Sequence, residues 1–382
     1  MYFLHRLEEL FLLLLVYRLV LIPKRSGRCA LREKKKINEI NIVRAFAILA
    51  VLIIHATAGA RSNVPWGSAS SPFYITVNQL STFAVPLFIM ITGLVLFYRY
   101  YDNWTWEQAL TFYKKRIQYI VLPYLIWSIF YYVYNQAVYN HEVSFDIEAL
   151  SQQLLWGRAG YHLYFMVIII QFYAAFPLIL TLFRKMRLSA RKVIGAGLLV
   201  QTVFYILHYW IGPFAHKAAL MPNYFLVFCV GAAIGMSYQR FTELAGHLWW
   251  TFAASVAVGF TTVLIGLASR SGAHYWPPVY AVLFNLYAIL VGFSALWIAQ
   301  KLDARASAAS KLANAFGALA FGIYLIHPAV LTLWRQIYNP DPQQSVYHLY
   351  NLASLMIIII VPWAVAKLIK QSKHHWLLFG KS

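Results

Sequence analysis

Within residues 40–60, INIVRAFAILAVLIIHATAGA, an arginine and a histidine stand eleven positions apart in a run long enough to cross a bilayer. Eleven residues of α-helix make three turns plus about 20°, so Arg44 and His55 share nearly one face, about 16 Å apart along the axis. An arginine at mid-span costs roughly 2.5–3.5 kcal/mol on insertion scales, so a helix with both groups on one stripe reads as facing a polar cavity. Histidine is the natural general base near neutral pH. The plainer alternative has Arg44 snorkelling to lipid headgroups and His55 as a satisfied core histidine.

Few of the other histidines, twelve in all, fall in apolar runs. His327 lies in FGIYLIHPAVLTL with Pro328 directly after it. Proline removes an intrahelical hydrogen bond, which predicts a bend there and a free carbonyl to fix the imidazole. His327 is a candidate for substrate binding, with satisfaction of the broken turn as the alternative. His162, His208 and His216 fall at span ends and read as interfacial. Lys114, Lys115 and Arg116, with Arg99 closing the preceding span, form a basic patch able to bind the phosphates of a nucleotide-like donor. Topology determination and contact with anionic lipid explain such a patch equally well. Gly93 and Pro86 in VPLFIMITGLVLF read as packing. The chain carries no Gly-x-x-x-x-Gly-Lys loop, Gly-x-Ser-x-Gly elbow or His-Glu-x-x-His pair. No predicted span contains Asp or Glu, which weighs against an ion-coupled transporter.

The elements that must hold these residues are membrane helices. The chain has 382 residues, 61% of them hydrophobic and 12% charged, with mean hydropathy +0.60, which excludes an ordinary soluble protein. Ten spans are predicted, near 40–60, 74–98, 118–138, 161–183, 193–211, 219–238, 248–268, 277–299, 313–334 and 349–370. With this threading, 24 of the 32 Lys and Arg residues fall on one side and five on the other, which predicts an all-α polytopic protein with both termini cytoplasmic. The net charge of +20 is therefore a topology and lipid signal, and implies no nucleic-acid partner. Residues 1–36 read as a basic cytoplasmic segment with an interfacial helix near 11–22, residues 37–373 as the membrane domain and 374–382 as a short tail. Cys29 and Cys229 suggest neither a disulfide nor a metal site. No internal repeat supports a transporter of duplicated halves.

Five stretches, in order, resemble the acyltransferase-3 family of integral membrane acyltransferases, in particular its bacterial surface-polysaccharide O-acetyltransferase branch. INIVRAFAILAVLIIH is similar to the family's Arg-x10-His first helix. VPLFIMITGLVLFYR is similar to its second-helix motif, with Thr92-Gly93 where Ser-Gly is usual. YKKRIQYIVLPYLIW resembles the basic-to-Pro entry of the third helix, YHLYFMVIIIQFYAAFPLI the His-Leu-(Trp/Tyr)-Phe stretch, and FGIYLIHPAV the Tyr-Leu-x-His-Pro segment. The resemblance spans roughly residues 37–370. It implies a bacterial plasma-membrane enzyme that moves an acyl group from cytoplasmic acyl-CoA, acetyl-CoA foremost, to a hydroxyl of a lipid-linked sugar or extracellular polysaccharide. Acyl-CoA would be a donor substrate, with no permanently bound cofactor and no metal. On that scheme Lys114, Lys115 and Arg116 hold the CoA phosphates and Arg44 binds phosphate or polarises the thioester. His55 deprotonates the acceptor or relays the acyl group, and His327 helps bind the acceptor. Export of a polysaccharide or lipid-linked sugar is the competing function. A purely structural or sensory role leaves Arg44 and His55 unexplained.

Overall fold

The computed structural model describes residues 37–380; the basic N-terminal segment, its expected interfacial helix and the last two residues lie outside it. The described residues are helical, with no strand among them. In chain order the helices are α1 (Glu39–Asn63), α2 (Ser71–Leu80), α3 (Ala84–Tyr100), α4 (Trp106–Arg116), α5 (Leu122–Asn135), α6 (Ile147–Trp156), α7 (Tyr164–Lys185), α8 (Ala190–Ile206), α9 (Phe225–Met236), α10 (Tyr238–Leu244), α11 (Trp249–Arg270), α12 (Pro277–Arg305), α13 (Ala308–Gly317), α14 (Ala320–Ile337), α15 (Val346–Ile369) and α16 (His375–Phe379). Wide π-turns join α4 to α5 at Ile117–Val121 and extend α5 through Gln136–Asn140.

By length and composition, eight helical segments can cross a membrane, or ten when two sharply bent pairs each count as one span. One pair is α9 with its preceding turn, broken from α10 by 90°; the other is α13 with α14, broken by 69°. Each of the ten sequence-predicted spans overlaps one of these segments. Pro328 does not end its helix. Helix α14 runs unbroken through Pro328, and the break falls at Ala318–Leu319, between α13 and α14.

Helix α1 is central. It packs against α2, α3, α12, α13, α14 and α15. Of its most apolar window, 56% is buried, against 17% for the span that begins at Ala190, so α1 faces protein where α8 faces lipid. With almost no polar contrast around α1, packing has to come from close contact. The α3–α9 pair shows how. A Cβ on Gly231 would lie 2.0 Å from the Met90 carbonyl oxygen, one on Gly235 2.3 Å from that of Leu94, and one on Gly93 2.3 Å from that of Phe228. Small residues let the two backbones touch where lipid gives no hydrophobic drive to association.

Candidate active site

The last turns of α1 are held from two sides. Asn78 on α2 donates through Nδ2 to the Ile54 carbonyl at 2.9 Å and to Thr57 Oγ1 at 3.0 Å, while Arg61 donates to its Oδ1 at 2.8 Å. From α14, Arg335 donates to the His55 carbonyl at 3.0 Å. The backbone around His55 is thus fixed by groups that do not use its ring.

The imidazole of His55 is half-buried and lies 5.2 Å, centroid to centroid, from that of His327. His327 in turn lies 5.6 Å from His162. Both are buried, His327 completely and His162 to 2% exposure. His327 Nδ1 lies 3.2 Å from the Ile323 carbonyl, but its Nε2 and both ring nitrogens of His162 have no partner among the described residues. Buried polar groups are normally paired, and an unpaired one costs about 1–3 kcal/mol, so three orphaned nitrogens in one place mark a site. Sequence reading puts His162 at the interface; the structure puts it inside. The turn before α7 folds inward, closed by Leu163 N donating to the Gly160 carbonyl at 2.9 Å, and Tyr324 donates to the His162 carbonyl. The His-Leu-Tyr-Phe match was the sequence signal for His162.

Tyr131 braces α14 where Pro328 interrupts its hydrogen bonding. Its hydroxyl donates to the Leu325 carbonyl at 2.6 Å and accepts from Ala329 N at 3.2 Å, standing in for the helical bond between them. Tyr134 donates to the Ala329 carbonyl at 2.8 Å. The turn that Pro328 weakens is therefore stitched by α5, and the same Tyr131 ring packs edge-on against His162 at 4.9 Å. Tyr131→Phe removes both bonds beside the histidines. It is expected to cost about 1–3 kcal/mol, read as a lower melting temperature in detergent; an unchanged melting point would show that α14 closes its own turn.

At the other end of α1, Arg44 is half-buried, 3.4 Å from Asn41 Oδ1 and within electrostatic reach of Tyr173 on α7. Arg116 comes to the same ring. Its guanidinium stands 4.5 Å over Tyr173 and 4.9 Å over Phe112, with a buried Nε that has no partner among the described residues. Among the described residues neither arginine is paired with a carboxylate, and an unpaired guanidinium suits a phosphate or a polarised carbonyl. The rest of the predicted basic patch is not gathered here. Lys114, Lys115 and Arg99 are exposed, and Arg99 lies 5.7 Å from the Tyr100 ring. His208 is half-buried and His216 exposed, both near the end of the bundle where α1 finishes. Among the described residues no set of three His, Cys, Asp or Glu is arranged to hold a metal ion, the histidine trio included.

An acyltransferase domain model, acyltransferase-3, matches residues 37–367. The chain belongs to the acyltransferase-3 family. It is also similar to the succinoglycan biosynthesis protein ExoH of Rhizobium meliloti (strain 1021), 23% identical over 354 residues, covering 87% of this chain and 88% of ExoH. No solved structure matches. The residues matched to the acyltransferase-3 family take in both ends of α1 and all three clustered histidines. The protein is a multi-pass membrane member of that family.

Proposed function

We propose that the protein is an O-acyltransferase of the bacterial plasma membrane. It moves an acyl group, acetyl foremost, from cytoplasmic acyl-CoA to a hydroxyl of a lipid-linked sugar or surface polysaccharide. The observation that carries this reading is the disposition of α1: a half-buried imidazole, backed by two buried histidines, toward one end and the Arg44 guanidinium toward the other. The similarity to ExoH, a succinoglycan biosynthesis protein, supports a polysaccharide acceptor. With the Arg44 end cytoplasmic, Arg44 and Arg116 bind donor phosphate, and the pantetheine arm runs along α1 toward His55. His55 takes the proton from the acceptor hydroxyl as its oxygen attacks the thioester carbonyl. The carbon–sulfur bond breaks, the acyl group leaves as an ester, and the proton passes to the CoA thiolate. The exposed Lys114, Lys115 and Arg99 attract the anionic donor to that membrane face.

The test is purified protein in lipid with radiolabelled acetyl-CoA and a lipid-linked glycan extract. Label in the glycan fraction with matching release of CoA thiol is the expected result. Arg44→Ala is expected to lower both by about 10²-fold, the scale for removing one group that stabilises developing charge. Glycan export by wild-type protein with no thiol released would favour the exporter.

A further inference from the structure

The end of the bundle at His55 carries a pocket that the proposed acyl transfer has not yet used. Its volume is about 270 Å³, and Trp156, Gly157, Arg158, Tyr161, Tyr164 and His216 line it, with Ala218 and Ala219. Small-molecule sites run from about 300 Å³ upward, so this one has room for a single ring.

The walls are built. Gly157 has φ +64°, and a Cβ there would meet Tyr164 N at 2.6 Å, so the turn from α6 into α7 closes tightly only with glycine. Opposite, His216 is a non-glycine residue in the left-handed region at φ 55°, a strained conformation of the kind that collects at ligand sites. That wall is pinned from below. Gln171 on α7 donates to the Ala219 carbonyl at 2.7 Å and accepts from Met221 N at 3.0 Å, and Tyr224 donates to the Ala218 carbonyl at 3.1 Å. A preformed depression spares a ligand the cost of ordering its walls.

The lining mixes flat rings with hydrogen-bonding groups. Trp156 and His216 lie ring to ring at 4.6 Å, and the Arg158 side chain is exposed beside them. A pyranose matches this surface, with an apolar C–H face for the indole and a rim of hydroxyls for the guanidinium and phenols. An acyl chain has no use for the guanidinium. The donor's phosphates belong to the other end of α1. Tyr161 joins the pocket to the reaction: it lines the cavity, and its ring is 4.7 Å from that of His55.

We infer that this pocket seats one sugar ring of the acceptor and directs a hydroxyl of that glycan past Tyr161 to His55. The inference rests on the proposed acyl transfer for the identity of the glycan, and its test is separable. Lipid-linked oligosaccharides extracted from cells lacking this protein serve as the probe. In the transfer assay, Trp156→Ala and Arg158→Gln are expected to raise the amount of extract needed for half-maximal labelling about tenfold, with a much smaller change at saturation. Trp156→Phe keeps a smaller ring and is expected to fall between wild type and Trp156→Ala, a graded loss that misfolding would not produce. Unchanged half-saturation in both Trp156→Ala and Arg158→Gln would overturn the assignment. Binding of the same oligosaccharides to protein in lipid nanodiscs needs no donor. Binding that Trp156→Ala weakens, in a wild type that transfers no label, upholds the pocket and rejects the reaction. No retention by wild type rejects the pocket.

Discussion

His55→Ala is expected to abolish acyl transfer, by at least the 10²–10⁴-fold typical of a lost general base, while the protein still inserts and folds. The structure separates the two outcomes. The clamps on this part of α1 use the carbonyls of Ile54 and His55, which alanine keeps. The imidazole is half-buried and fills a place beside Tyr161 and His327, so its loss trims packing without stranding a hydrogen bond of any described residue. Label transfer measured beside thermal stability in the same lipid checks both halves. Transfer at the wild-type rate would remove His55 from the chemistry, and a collapse of stability would show its ring to be structural.

Gly231→Val is expected to destroy the folded state. Already the first carbon of the new side chain would lie 2.0 Å from the Met90 carbonyl oxygen and 2.8 Å from its carbon. Both are backbone atoms in the middle of α3, so no rotamer can yield, and α3 and α9 must separate. Overpacking an apolar core usually costs about 1–3 kcal/mol; here it also opens contacts at Gly93 and Gly235, which places the cost at or above that range. Expression of dispersed protein, followed by its melting temperature, is the measurement. A variant as stable as wild type would mean that the two helices stand further apart than described.

The spans were legible because bilayer thickness imposes one length on every crossing, and Pro and Gly inside them disturb that signal little. Gly93 was legible as packing, since small residues have one common use between membrane helices. The pairing of His55 with His327 was not. The two are 272 positions apart and meet only because α14 returns beside α1. His162 was misplaced because a hydropathy reading assigns a polar residue at a span end to the interface, whereas an inward turn buries it. The surroundings of Pro328 were hidden for a related reason. The turn it interrupts is braced by Tyr131 on another helix, which no local pattern contains. The basic patch divided along the helical repeat: Arg116 turns inward to Tyr173 while Lys114 and Lys115 remain exposed.

The π-turn at Ile117–Val121 separates two residues that must each meet a different partner, Arg116 against Tyr173 and Tyr131 against Leu325 and Ala329. A π-turn amounts to one residue more than the α-helical count, and each residue is worth about 100° of rotation. The segment therefore acts as a phase shifter between the two ends of one crossing. A relative one residue shorter here has not lost a piece of loop; its whole outgoing half is turned by about a quarter of a circle. Alignments that slide a gap along this crossing to improve identity would exchange the face that meets α14 for one that meets lipid.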